Sequence, residues 1–441
     1  MANQSSSLNV DGSVEPLGNS NVAEQYADLP FLPGGGVASA KGFKAAGIHA
    51  GFRADPNRLD FALVVADQPA ACAAVFTTNV FCSAPVTVSK ERLDGVGYGI
   101  ARAVAINSGI ANAATGQKGL DTARESSSIV ADALGCPSEE VLVASTGVIG
   151  RHLQMEPFRS GAGAAVAALS ATGGADAARA IMTTDTQPKE CAVSFDGSGI
   201  GYDGCTFTVG GMAKGSGMIM PNMATMISVI TTDAPIAAND LHAALVSAVN
   251  LSFNKITVDS DTSTNDSCFL FASGEAAPQS APRMVPGTPA FNAFEHALRT
   301  VCIALARNMA TDGEGATRLV TVNVSGARDA CDADAAARTV ANSPLVKTAI
   351  YGHDANWGRI AAALGRSGAA FKQEDVSIDI MGLPVCRQGL TVPFDEDEAL
   401  RRFGSPDVVI DIELGAGDEA TTMWTCDFSH EYVTINGDYR S

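Results

Sequence analysis

Ten short runs rich in β-branched and apolar residues constrain this chain more than any other feature. They are Phe61–Ala66, Ala103–Ile106, Val141–Ala144, Cys191–Phe195, Thr206–Val209, Met226–Thr231, Phe269–Ala272, Leu319–Val324, Val376–Ile380 and Val408–Ile412, and each reads as a strand. Helical spacing is clear in fewer places. Leu241, Leu245 and Val249 share one face, as do Phe291, Phe294, Leu298, Val301, Leu305 and Met309. Thr288-Pro289 ahead of the second set supplies an N-cap with Pro in the first turn. Phe158–Leu169 and the shorter Asp395–Phe403 complete the helices expected. Strands that cluster between fewer helices, without a regular βαβ rhythm, predict an α/β fold with mixed or antiparallel sheets rather than a doubly wound parallel one. No repeat of fixed period is visible. Ser273–Gly287, with three prolines and little periodicity, is the stretch most like a domain junction.

Charge narrows the function classes. Of 441 residues, 48 are Asp or Glu and 29 are Lys or Arg, a formal net charge of −19. Nucleic acids and anionic membranes reward basic faces, so neither is expected as a partner. No run of 18 apolar residues occurs. The first Lys is Lys41, so no basic region of a secretory signal precedes it. The ten Cys are scattered without a CxxC pair, which fits reduced thiols in a cytoplasmic protein. Residues 1–29 are Asn- and Ser-rich, with Asp11, Glu15, Glu24 and Asp28 and no base, and are expected to form a disordered acidic tail.

Familiar catalytic motifs are missing: there is no GxxxxGK[ST] phosphate loop, no HExxH and no GxSxG. The acidic run Asp259–Asp266 lacks the Gly and Glu of a calcium loop, having Thr264 and Leu270 there, and no metal site is expected. The informative stretch is Gly210-Gly-Met-Ala-Lys214-Gly-Ser-Gly-Met-Ile-Met-Pro221-Asn222-Met-Ala224-Thr225. It is Gly-dense, turns at Pro221-Asn222 and leads into an apolar strand headed by Thr225. A strand-leading Thr after a small residue is what a self-cleaving hydrolase requires. Its hydroxyl can attack the Ala224 carbonyl. Cleavage then frees an α-amine, whose ordinary pKa of about 7.7–8.0 lets it act as base for the same hydroxyl. Taken by itself, the pattern equally fits an ordinary loop followed by a strand.

Other motifs decide between these readings. Phe76-Thr-Thr-Asn79, Asn107-Ser-Gly-Ile-Ala-Asn112, Ala144-Ser-Thr146-Gly147 and Ile181-Met-Thr183-Thr184-Asp185 precede the Lys214–Thr225 stretch. Thr257-Val-Asp259-Ser-Asp261-Thr-Ser-Thr-Asn265-Asp266, Gly313-Glu314-Gly315-Ala-Thr317, His353-Asp-Ala-Asn356-Trp-Gly-Arg359 and Asn436-Gly-Asp-Tyr-Arg-Ser441 follow it. In this order, from about residue 30 onward, they resemble the ornithine acetyltransferase (glutamate N-acetyltransferase) family of arginine biosynthesis.

The resemblance implies a four-layer α/β/β/α sandwich with two mixed sheets. It implies self-cleavage between Ala224 and Thr225, giving an alpha chain that ends at 224, ordered from about residue 30, and a beta chain spanning 225–441. The two chains would stay together as an α2β2 heterotetramer. Thr225 would take the acetyl group of N-acetylornithine and pass it to glutamate. Thr146 and Gly147 correspond to the family's oxyanion donors. Lys214 corresponds to a cation for substrate carboxylates, and Glu314 to an acceptor for a substrate amine. Asn436, Ser441 and one of Thr183 and Thr184 correspond to further substrate contacts. Asp259–Asp266 and Asn356-Trp357-Gly358 are read as scaffold. No cofactor is implied, although the resemblance admits acetyl-CoA as a second acetyl donor. The rival reading is an N-terminal-nucleophile aminopeptidase or amidase, with water as the acceptor.

Overall fold

The computed structural model describes Leu17, Tyr26, residues 28–220 and residues 226–438. The chain divides into two compact units, one of Tyr26–Asn254 with Asp259–Glu314, the other of Lys255–Val258 with Gly315–Asp438. Chain crossings therefore fall beside Asn254, Val258 and Glu314, and not within Ser273–Gly287. That stretch is tied into the first unit instead, because its backbone finds partners there. Ser273 N donates to Thr232 O at 3.0 Å, Met284 N donates to Pro235 O at 2.8 Å, and Pro282 O accepts from the Tyr202 hydroxyl at 2.8 Å.

The first unit is built on eight strands: β1 (Phe43–Ile48), β2 (Phe61–Phe76), β3 (Tyr98–Ile110), β4 (Val141–Val148), β5 (Lys189–Asp196), β6 (Thr206–Lys214), β7 (Ile227–Thr232) and β8 (Ser267–Ala272). Their order is β4-β3-β2-β8-β7-β6-β5, with β1 also on β2. β3–β4 and β7–β8 are parallel and the other pairs antiparallel, so the sheet is mixed. Alternation sorts β2 into two faces. Phe61, Leu63 and Val65 join Val130 and Phe158 in one buried cluster, while Ala62, Val64 and Ala66 join Ile106, Phe269 and Phe271 in another. Helices α1 (Ala84–Arg92), α2 (Gly116–Leu134), α3 (Glu156–Ala167), α4 (Gly174–Ala180), α5 (Ala238–Leu251) and α6 (Pro289–Thr311) pack on this sheet. Thr288 caps α6 as expected, its hydroxyl accepting from Phe291 N at 3.3 Å.

The second unit carries a six-stranded mixed sheet: β9 (Leu319–Ala327), β10 (Ser377–Ile380), β11 (Leu383–Arg387), β12 (Leu390–Thr391), β13 (Asp407–Glu413) and β14 (Glu419–Cys426), ordered β12-β11-β10-β13-β9-β14. Only β9–β13 is parallel. Its helices are α7 (Ala330–Ala341), α8 (Pro344–Tyr351), α9 (Trp357–Gly365), α10 (Glu396–Arg402) and α11 (His430–Asp438). Asn356 caps α9 through Arg359 N, a scaffold role.

Of the stretch 1–29, Tyr26 packs on α6, its ring 5.2 Å from His296, which Asp28 meets at 2.6 Å. Leu17 N donates to Asp379 Oδ2 at 2.6 Å in the second unit. Most of the rest of that stretch lies outside the described residues. No helix among those described is long and apolar enough to cross a membrane.

Candidate active site

Register gathers the motif residues around the start of β7. Lys214, the last residue of β6, lies opposite Ile227 in the antiparallel β6–β7 pair, and Ile227 lies beside Ser267 in the parallel β7–β8 pair. Ser267 N donates to Met226 O at 2.9 Å, extending that alignment by one residue. Ala224, Thr225 and Ser441 lie outside the described residues. Thr225 is nevertheless joined covalently to Met226, and the next residue, Ile227, pairs with Lys214 on one side and with Ser267, which follows Asp266, on the other.

Lys214 is buried. Burial pushes its pKa below the ordinary lysine value, while the negative charges of Asp185, Asp266 and Glu314 oppose that fall. A second buried lysine, Lys189 on β5, completes the cluster. Its Nζ donates to Asp185 at 2.7 Å and to Asp312 at 2.6 Å. Asp185 Oδ1 also accepts from Gly215 N at 2.7 Å, and Oδ2 accepts from Thr183 N at 3.0 Å. Burial alone would raise the Asp185 pKa, but Lys214, Lys189 and these donors together hold it below the usual carboxylate range. Lys189 is thus neutralised on both sides, whereas Lys214 has no ion-pair partner among the described residues.

The Gly-rich loop after Lys214 is held from two directions. Asp259 accepts from Met218 N at 2.6 Å and from Ile219 N at 2.8 Å, and the Thr262 hydroxyl donates to Met220 O at 2.9 Å. These bonds occupy the Asp259 carboxylate, so the acidic run works as scaffold for the loop. From the other direction, Ser216 Oγ donates to Asp312 O at 2.6 Å and Glu314 N donates to Ser216 O at 2.9 Å. The buried Glu314 carboxylate lies so close to Gly217 that a Cβ there would meet it at 2.3–2.4 Å. Gly217 therefore allows the backbone to pass beside that carboxylate.

Thr146 and Gly147 stand on β4 beside Ser108 and Gly109 of β3. Gly147 has φ +128°, and a Cβ would strike the Gly109 carbonyl carbon at 2.3 Å, so only Gly fits. The link from this pair to the β7 entry is Asn265. Its Nδ2 donates to Ser145 O at 2.8 Å and to Ala111 O at 2.6 Å, and Asp266 follows it in the chain. One loop thus touches both the residue before Thr146 and the residue after Thr225.

Thr183 and Thr184 are partly buried beside Asp185. Asn436 lies on α11 in the second unit, exposed, with its Nδ2 donating to Tyr432 O at 3.0 Å. Sequence reasoning gave no separate role to Lys189, Asp312 or Asn265. Lys189 does pair with Asp185 four residues before it, but its other partner, Asp312, lies 123 residues away, and the partners named for Asn265 lie 120 and 154 residues away, so no local pattern marks the cluster.

An α/β protein with two mixed sheets, whose motif residues meet around the entry of a central strand, is the class these features define. The chain belongs to the ArgJ family, whose model matches residues 44–441. The arginine biosynthesis bifunctional protein ArgJ of Symbiobacterium thermophilum is 48% identical over 408 residues, covering 92% of this chain and 99% of that protein. The protein of the same name from Chlorobaculum tepidum is 46% identical over 424 residues, covering 95% and 99%. Among solved structures, ornithine acetyltransferase complexed with ornithine from Mycobacterium tuberculosis is 40% identical, with a TM-score of 0.40, covering 44% of this chain and 99% of that chain.

Proposed function

We propose that this chain transfers the acetyl group of N-acetylornithine to glutamate in cytoplasmic arginine biosynthesis, through an ester on Thr225 formed after cleavage at Ala224–Thr225. The observation that carries the reading is the convergence of Lys214, Asp266 and, through Asn265, Thr146 on the strand entry that Thr225 precedes. Near full-length identity to proteins named for bifunctional arginine biosynthesis supports it.

In this mechanism the freed Thr225 amine takes the proton of the Thr225 hydroxyl as the oxygen attacks the acetyl carbonyl. The Thr146 hydroxyl and the Gly147 N–H receive the oxyanion, and losing one such donor costs about 10²–10³ in rate. Ornithine leaves with the proton, glutamate enters, and its amine takes the acetyl group by the reverse sequence. Lys214 holds a substrate carboxylate against an unfavourable net charge of −19. Glu314, with Thr183 or Thr184, Asn436 and Ser441, contacts the amino and carboxylate groups of the substrate. The chains 1–224 and 225–441 stay together, as an α2β2 assembly. Acetyl-CoA serves as a second donor, in keeping with the word bifunctional in the relatives' names.

Intact mass under denaturing conditions tests the premise. The wild type gives chains of 224 and 217 residues, and Thr225→Ala gives one chain of 441 with no acetyl transfer. A Thr225→Ala protein that still moves acetyl groups from N-acetylornithine to glutamate refutes the mechanism. Acetylated enzyme that turns over in water as fast as with glutamate favours a hydrolase instead.

A further inference from the structure

Two arginines play no part in the transfer mechanism, yet both grip the segment that carries Thr183 and Thr184. Residues 182–188 run between α4 and β5 in neither helix nor strand, so other groups must hold their backbone in place. Both arginines come from the loop between β1 and β2, residues 49–60. That loop is wound around the buried Asp60, whose carboxylate accepts from Ala50 N at 2.6 Å, Gly51 N at 3.2 Å and Arg53 N at 2.9 Å. A carboxylate bonded three times within its own loop fixes the point from which the Arg53 side chain departs. Arg53 Nη2 then donates to Met182 O at 2.8 Å, and Arg58 Nη2 donates to the next carbonyl, Thr183 O, at 2.9 Å.

Arg53 also reaches a second wall of the site. Its Nε donates to Ser108 Oγ at 3.3 Å, and its stem lies along Gly109, where a Cβ would meet Arg53 Cγ at 3.1 Å. Ser108 and Gly109 pair with Thr146 and Gly147 in the β3–β4 register. One partly buried side chain thus bears on the strand end beside Thr146 and Gly147 and on the carbonyl that precedes Thr183. We propose that Arg53 is a positioning residue for the acetyl transfer, holding the Thr183–Thr184 segment in place against the Thr146–Gly147 strand end. The inference rests on the transferase reading above.

In this role Arg53 acts through the segment and not on the substrate itself. Its planar guanidinium serves two acceptors from one rigid fork, Ser108 Oγ and Met182 O, a geometry that the point charge of a lysine does not reproduce. Removing the fork while keeping an apolar stem leaves Gly109 covered and releases Met182 O. The segment then keeps Arg58 on Thr183 O and Asp185 on Thr183 N, so it loosens without being lost. A loosened substrate-contacting segment weakens binding of the substrate more than it slows the chemical step, and the effect belongs in KM rather than in kcat.

The test is steady-state acetyl transfer from N-acetylornithine to glutamate by the full-length gene product, comparing wild type, Arg53→Met and Arg53→Lys, with far-UV circular dichroism and intact mass on each. For Arg53→Met the expected result is a KM for N-acetylornithine raised at least about tenfold, the loss of one hydrogen bond from a charged group, with kcat within threefold of wild type. Arg53→Lys, which keeps a cation for one acceptor, is expected to recover part of that loss. An arginine with a merely structural role would lower the amount of active enzyme, and so kcat, while leaving KM unmoved. If Arg53→Met lacks the native circular dichroism, Arg53→Gln replaces it under the same limits. A wild type that moves no acetyl group overturns the transferase reading and this inference with it. A wild type that transfers, beside an Arg53→Met enzyme whose KM stays within threefold, overturns only the role of Arg53. So does an Arg53→Met enzyme in which kcat alone falls.

Discussion

Replacing Asp185 by Asn strikes the pair that fixes both buried lysines. The Asp185 side chain is fully buried and Lys189 is 2% exposed. The carboxylate takes Lys189 Nζ at 2.7 Å and Gly215 N at 2.7 Å on one oxygen, and Thr183 N on the other. Asn retains one acceptor and turns an NH₂ toward a donor, so at least one of these bonds becomes a donor facing a donor. Removing one partner of a buried pair costs about 3–5 kcal/mol, chiefly because the other charge is left uncompensated. Lys189 keeps Asp312 at 2.6 Å, which places the cost at the lower end, about 3 kcal/mol. At about 1.4 kcal/mol per decade this is roughly 100-fold in the opening equilibrium. Amide exchange of peptides from β5 and β6, read by mass spectrometry, reports that equilibrium directly. Exchange within threefold of wild type would refute the energetic reasoning.

The pH dependence has a definite sign. The folded-state pKa of Asp185 is lowered, so its stabilisation is present above the ordinary carboxylate pKa and is lost progressively as the pH falls from there through the lower folded-state value. The gap between wild type and Asp185→Asn should therefore begin to narrow below about pH 5 and go on narrowing below about pH 3. Lys214 loses the charge that opposes its fall. In the variant, the alkaline limb of glutamate binding should then move to lower pH.

Two further substitutions probe packing. Gly217→Ala puts a methyl group 2.3–2.4 Å from the Glu314 carboxylate; a stability loss of about 1–3 kcal/mol is expected, with a raised KM and a smaller change in kcat in steady-state kinetics. Phe158→Ala empties a site where the ring sits 4.8 Å from Phe52 and 5.3 Å from Phe61; thermal unfolding should show a loss of about 3–5 kcal/mol.

How much of this fold could be read in the sequence depended on what each element buries. All ten strand runs are strands, because Val, Ile and Phe mark a pleated, buried surface. β14 escaped notice because its buried positions include Thr421, Thr422 and Thr425, whose hydroxyls disguise β-branched residues. β2 runs past the expected Ala66 through a register shift between Val65 and Ala70, where Pro69 needs no ladder partner. α2 shows little apolar stripe because its buried face is Gly119, Thr122, Ala123, Ser126, Ser127 and Ala131, small residues, with Val130 the one larger apolar side chain.

The site was legible as a set of motifs but not as a set of roles. Thr146, Gly147, Lys214 and Glu314 were found by resemblance, yet nothing in their neighbourhoods says how the two buried lysines differ. The folded arrangement does. Lys189 and Lys214 are both buried near Asp185, but Asp312 comes from the end of α6 to complete the neutralisation of Lys189 alone. Asp185 is held ionised by both cations and by backbone donors, so it stabilises charge on Lys214 without an ion pair that a substrate carboxylate would have to displace. A chain with a net charge of −19 can therefore keep one buried lysine free of an ion pair among the described residues, because the carboxylate that acts on it most, Asp185, is already bonded to Lys189 and to backbone donors.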